Sequence, residues 1–320
     1  MAFALLIAML GTTACSRSGE DVVIAPPSDP ALSGRFFASA GEGESKADLY
    51  EMRFNPFRLY RLSDTGRVFG IGGCATDLVV TIADKSVGFR DELRSYDGDA
   101  FRPIAGLGDP SGALPASAAD CRLLFSRLDN TKNPAIDRIM VFDPRAQTTT
   151  ELKASSGDTA LGIPAWGPNG EVAVYEGTAP ATGVPSKVTG IVVISPDGSS
   201  RTIEPPVASF GGLAWAPSQW MAFADLEQDR TVFLHPGTGE RSELAGWVPL
   251  SWSPDGMRLL VTDAKESKTI GLVALPDLQS VRKVGAASKA AVFNVVWLPD
   301  DATAGGPMTV GRRPDDGGES

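Results

Sequence analysis

Hydrophobic and polar positions in this chain recur as a phrase. An apolar strand ends in Trp, a turn of Pro, Asp or Gly type follows, and a second apolar strand takes over. The phrase is clearest at Ser251-Trp252-Ser253-Pro254-Asp255-Gly256, which leads into Met257-Arg258-Leu259-Leu260-Val261. Worn copies are Ala165-Trp166-Gly167-Pro168-Asn169-Gly170, Ala214-Trp215-Ala216-Pro217-Ser218 and Val296-Trp297-Leu298-Pro299-Asp300. These Trp residues stand 49, 37 and 45 positions apart, a spread that suits a repeated β unit with variable loops. Two fainter copies lie upstream. Ser117-Ala118-Ala119-Asp120-Cys121-Arg122-Leu123-Leu124-Phe125 aligns without gaps to the segment Ser253 to Val261. Gly73-Cys74-Ala75-Thr76-Asp77, running into Leu78-Val79-Val80-Thr81-Ile82, has lost both Trp and Pro.

A second motif alternates with the first: strand, polar or Pro/Gly turn, strand. Its six copies span 49–62, 92–104, 138–152, 191–203, 231–244 and 270–284. Their turns include Asp97-Gly98, Pro196-Asp197-Gly198 and Pro236-Gly237. Gly supplies positive φ in such turns and Pro pre-sets the first turn angle. Alternation such as Arg138-Ile139-Met140-Val141-Phe142 indicates strands rather than helices.

Six hairpins of the second kind pair with six strand-turn-strand units of the first only if the chain ends are sewn together. Arg35-Phe36-Phe37-Ala38 lacks a preceding Trp strand, and Val292-Phe293-Asn294-Val295-Val296-Trp297 lacks a following hairpin. The expected fold is therefore all-β, a six-bladed β-propeller of four-stranded antiparallel blades. The C-terminal strand completes the first blade as its innermost strand, which protects sheet edges. Residues 35–312 give roughly 46 residues per blade. Each Trp at the end of an inner strand is expected to wedge between neighbouring blades rather than stack on a ligand.

Residues 1–10 form an uninterrupted apolar run, followed by Gly11-Thr12-Thr13-Ala14-Cys15-Ser16. Ten apolar residues are too few to span a bilayer but suit the core of an export signal. A small residue before a lone Cys resembles the bacterial lipoprotein signal, which implies a lipid on Cys15 and anchorage in the cell envelope. Periplasmic release, secretion, or an uncleaved anchor are the alternatives. The expected organisation is a signal at 1–15, a flexible linker at 16–33, the propeller at 34–312 and a disordered tail at 313–320.

The net charge of −10 disfavours nucleic acid as a partner. With Cys15 lipidated, Cys74 and Cys121 remain as an even pair in an oxidising compartment. The repeat alignment puts them in neighbouring blades on one side of the ring. Either a disulfide or two buried free thiols fits that placement.

Candidate chemistry is sparse. The one histidine, His235, falls in a hairpin turn on the outer rim, and neither a Ser-His-Asp triad nor a Gly-x-Ser-x-Gly elbow can be assembled. The His and Cys counts exclude a His-rich or Cys-rich metal site, and no cofactor is expected. Gly70-Ile71-Gly72-Gly73 lacks the Lys of a phosphate loop. In Asp225-Leu226-Glu227-Gln228-Asp229, alternation would set three carboxylates on one face. Asp129, Asn130, Asn133 and Asp137 form a second oxygen-rich stretch, but neither matches a calcium loop.

The Trp-Ser-Pro-Asp-Gly phrase, followed by a basic residue and Leu-Leu-Val, resembles the repeat of TolB-like propellers, a WD-like class. That resemblance implies a six-bladed protein-binding platform of the bacterial envelope, without catalysis. The same repeat also builds the accessory propeller of prolyl-oligopeptidase-like peptidases. Function is then expected in the loops that follow each second strand. Asp225, Glu227, Asp229, Arg230, Asp263 and Lys265 are the candidate interaction face, binding a protein, peptide or glycan as a monomer. The alternatives are a carboxylate enzyme acting on glycans in the channel, or a small-molecule or metal sensor.

Overall fold

The computed structural model describes residues 32–299, apart from 43–45, 55, 75–76, 85–89, 119, 130, 133–134, 179–186 and 205–209. Cys15, the proposed signal, nearly all of the linker and the tail lie outside these residues, as do Asn130 and Asn133.

The described residues form six four-stranded antiparallel sheets arranged as a propeller. Blade 1 has the order β24 (Ala291–Leu298), β1 (Arg35–Gly41), β2 (Ala47–Phe54), β3 (Phe57–Arg61). Blade 2 is β4 (Val68–Gly73), β5 (Leu78–Asp84), β6 (Arg90–Tyr96), β7 (Phe101–Pro103). Blade 3 is β8 (Ala113–Ser117), β9 (Leu123–Asp129), β10 (Ile136–Asp143), β11 (Thr148–Ala154). Blade 4 is β12 (Thr159–Trp166), β13 (Val172–Thr178), β14 (Lys187–Ile194), β15 (Ser200–Glu204). Blade 5 is β16 (Phe210–Trp215), β17 (Met221–Asp225), β18 (Arg230–Leu234), β19 (Arg241–Ala245). Blade 6 is β20 (Trp247–Trp252), β21 (Arg258–Asp263), β22 (Thr269–Ala274), β23 (Asp277–Ala286). Closure is as the repeat count predicts: β24 pairs with β1 from Arg35↔Leu298 to Gly41↔Ala291.

Second and third strands read as near-continuous apolar runs, such as Leu259-Leu260-Val261 and Ile191-Val192-Val193-Ile194. A strand with both faces covered has no solvent side to alternate toward. The six buried clusters correspond to the six interfaces between blades. The cluster that seals the ring packs Phe36, Met52 and Phe57 of blade 1 against Leu260, Leu272 and Val284 of blade 6. Phe57 sits so close over Gly285 that a Cβ there would lie 2.2 Å from its ring.

Turn chemistry fixes the corners. Asp255 accepts the Met257 N–H at 3.0 Å and bonds Ser253 Oγ, which accepts the Arg258 N–H at 2.9 Å, while Gly256 takes φ +69°. Asp197 does the same at Ser199, 2.9 Å. The inner-strand Trp residues wedge between blades. Trp252 Nε1 donates to Ala214 O and Trp166 Nε1 to Ala116 O, each in the preceding blade at 3.2 Å. Trp215 lies over Gly167 of blade 4, with 2.2 Å to an added Cβ.

A second latch, on the opposite face, has a weaker sequence signal. The second residue of the third strand is Asp48, Asp91, Asp137 and Thr231 in blades 1, 2, 3 and 5. Asp48 accepts the Gly66 N–H at 2.7 Å, Asp137 accepts the Leu161 N–H at 3.0 Å, and Thr231 Oγ1 donates to Trp247 O at 2.7 Å. Each bond holds the segment leading into, or the inner strand of, the next blade. In blade 2 it is the Asp91 carbonyl that accepts from Gly112, at 2.9 Å. Burial raises the Asp91 carboxyl above the ordinary aspartate range.

Two outcomes follow. Trp252→Ala should destabilise by about 3–5 kcal/mol in chemical denaturation, from lost burial and the cavity left behind. A raised folded pKa at Asp91 favours the protonated form, so its contribution to stability is lost as pH rises through that value. Asp91→Asn should therefore gain on the parent between about pH 4 and neutrality, measured as the difference in urea midpoints. A constant difference across that range would contradict the assignment.

Candidate functional site

The six inner strands β4, β8, β12, β16, β20 and β24 surround the axis. Their approach requires small residues: a Cβ on Gly72 of β4 would lie 2.7 Å from Pro115 O of β8. Toward their first turns, these strands enclose a cavity of about 750 Å³. The Trp phrases therefore form its walls and rim. Ile71, Leu114, Ile163, Leu213, Leu250 and Val296 supply apolar side chains, one from each blade.

Polar groups in the lining are few and mostly engaged by the wall. Asn294 Nδ2 donates to Phe69 O at 2.7 Å, and Ser251 Oγ accepts the Trp297 N–H at 3.2 Å. Asp120 and Arg122 are the charged lining residues among the described ones. They pair with each other at 2.8 Å, and the Arg122 guanidinium stacks 5.0 Å above the Trp166 ring. Such a lining can desolvate apolar groups and presents one internally paired acid and base.

The cavity opens on the face of the first turns, opposite to the face nominated from sequence. The proposed acidic face is also divided. Asp225 is only 4% exposed. Its Oδ2 is held by Arg230, 3.2 Å from Nε and 3.1 Å from Nη2, and Oδ1 is buried without a partner. The expected alternation fails because Asp225 ends β17 pointing inward, whereas Glu227 and Asp229 lie in the exposed turn beyond it. Arg230 also pairs with Glu243. In the next blade, Asp263 accepts the N–H groups of Glu266, Lys268 and Thr269 at 2.7–2.9 Å. Burial pushes its carboxyl up, but these donors outweigh it and hold the group below the usual range. Asp263 thus builds its turn, and Lys265 stays exposed. Glu227, Asp229 and Lys265 are the solvent-facing members of the set.

The oxygen-rich stretch also separates. Asp129 binds Thr131 and Arg138, whereas Asp137 reaches into the next blade at Leu161. His235 sits in the rim turn between β18 and β19, its Nδ1 accepting the Thr238 N–H at 3.2 Å and its ring 5.5 Å from Trp220. It takes no part in the cavity.

Cys74 and Cys121 form a disulfide, Cα atoms 5.3 Å apart, which ties blade 2 to blade 3 on the cavity wall. Unfolded, unreduced protein should show no titratable thiol from either residue. Cys74→Ser with Cys121→Ser should lower stability by up to about 4 kcal/mol in the loop-entropy model. Two reactive thiols, or an unchanged denaturation curve, would refute this.

No protein-family model matches the chain, and no curated protein matches it. Solved structures do. TolB from Acinetobacter baumannii superimposes with a TM-score of 0.62 at 13% identity, over 85% of this chain and 68% of that one. A chain of a nidogen/laminin complex gives 0.57 at 14% identity, over 82% and 97%. An oligogalacturonate lyase from Vibrio parahaemolyticus gives 0.50 at 13% identity, over 85% and 87%. At these identities the likeness establishes the propeller fold, which hosts both binding proteins and enzymes.

Proposed function

We propose that this protein is a binding scaffold that receives an apolar segment of a partner protein at the axial cavity. The observation that carries this reading is the cavity itself: about 750 Å³, walled by side chains from all six blades, with Asp120 and Arg122 as its charged pair. Its size falls within the usual range for ligand pockets, about 300–1,000 Å³. An acid–base enzyme would need several ionisable groups aimed at one reacting atom. The described lining presents one carboxylate, already hydrogen-bonded to Arg122. A rigid ring also limits the entropy lost on binding.

The proposal includes an address. A lipid on Cys15 would hold the propeller at a membrane of the envelope, where its partner would be met. The exposed turn residues Glu227, Asp229 and Lys265 remain a second surface for a charged partner.

One comparison separates the two faces. Ile163→Lys with Leu250→Lys puts two charges into the cavity, and Glu227→Lys with Asp229→Lys reverses the opposite turn. Cross-linked partner recovered from envelope extracts should fall at least about tenfold for the cavity variant, compared at a temperature where circular dichroism shows all three proteins folded. It should persist for the turn variant. The reverse pattern would move the site to the other face, and equal capture by all three proteins would reject both. Cys15→Ser should shift the protein out of the membrane fraction; unaltered fractionation would reject the lipid tether.

A further inference from the structure

We propose that reduction of the Cys74–Cys121 disulfide converts this point of the cavity wall into a binding site for a thiophilic divalent cation, with zinc as the best match. The Sγ atoms of both cysteines and a carboxylate oxygen of Asp77 lie within 4.8 Å of one another. Two sulfurs and one oxygen are a mixed donor set that zinc accepts, with bonds of about 2.3 Å to sulfur and about 2.0–2.2 Å to oxygen. Counting His and Cys along the chain does not reveal it, because the third donor is a carboxylate and the two sulfurs come from different blades.

The backbone holds the donors in place independently of the S–S bond. The Cys74 N–H donates to Asp77 O at 2.9 Å, which closes the turn bearing two of the donors. The Cys121 N–H donates to Ala118 O at 2.9 Å and closes the turn bearing the third. Beneath them, Val79 and Leu93 of blade 2 pack against Leu123 and Phe125 of blade 3. Breaking the disulfide therefore leaves both turns and their interface standing. The sulfurs need only separate to the spacing that a shared cation demands.

The chemistry balances. A dithiol reductant supplies two electrons and two protons, the S–S bond breaks, and the reductant leaves as its own disulfide. Cation binding then releases both thiol protons as two metal–thiolate bonds form. Asp77 supplies a third bond. Three protein ligands leave the fourth tetrahedral position for water or for a donor from a bound partner. Cys74 lines the cavity, so the cation would sit at its edge. This inference does not depend on what the cavity binds.

The test uses the full chain carrying Cys15→Ser, so that the third thiol cannot contribute. Reduced, metal-free protein is titrated with Co²⁺ under argon, with circular dichroism monitoring the strands. A thiolate-to-cobalt charge-transfer band should saturate at one ion per chain and vanish on addition of Zn²⁺. Oxidised protein should show no band. Asp77→Asn, which retains both cysteines and the carbonyl that accepts the Cys74 N–H, should bind Co²⁺ at least about tenfold more weakly. Absence of the band in folded, reduced protein would overturn the proposal. So would equal affinity in Asp77→Asn, or a reduced chain that unfolds and is not restored by the cation.

Discussion

Everything in this molecule depends on face-to-face packing between neighbouring blades. A four-stranded blade whose two faces are both apolar cannot stand in water; each face must be covered by the next blade. That requirement propagates around the axis and is met only if the last blade meets the first. The pairing of β24 with β1 supplies the meeting, and the Phe36–Leu260 cluster seals it. Closure also removes the open ends that would otherwise expose sheet surface to other chains.

Two sets of short-range devices align the blades once they are packed. On one face, indole rings reach backward: Trp166 and Trp252 each donate to a carbonyl of the preceding blade. On the other, short polar side chains reach forward, as Asp48, Asp137 and Thr231 do. The first set stands at the axial cavity, where Trp166, Trp215, Trp252 and Trp297 are part of the lining. The apolar wall of the axial cavity follows from the inner strands that line it.

The architecture was legible from the sequence because its signals are local and repeated. Pro-Asp-Gly corners, near-continuous apolar runs and a roughly constant period specify strands, turns and their number without reference to distant residues. The site was less legible. Gly70-Ile71-Gly72-Gly73 reads as a weak loop motif until β8 is seen lying against it. Asp225 reads as a surface acid beside Glu227 and Asp229 until the end of β17 turns it inward onto Arg230. Asp48, Asp91 and Asp137, spaced by about one blade each, carried a signal that could have been found by aligning third strands rather than Trp phrases.

What the sequence determined by itself was the all-β class, the six-fold count and the joining of the chain ends. The class rests on apolar periodicities within about ten residues of each position, and the count and the joining rest on repetition of the phrase along the chain. The tertiary structure decided which face holds the cavity, which carboxylates are spent on holding turns and blades, and that Cys74 meets Cys121 beside Asp77. Those outcomes depend on side chains far apart in the chain being brought together by the ring. Burial and pairing, rather than residue type, then set what each of them can do.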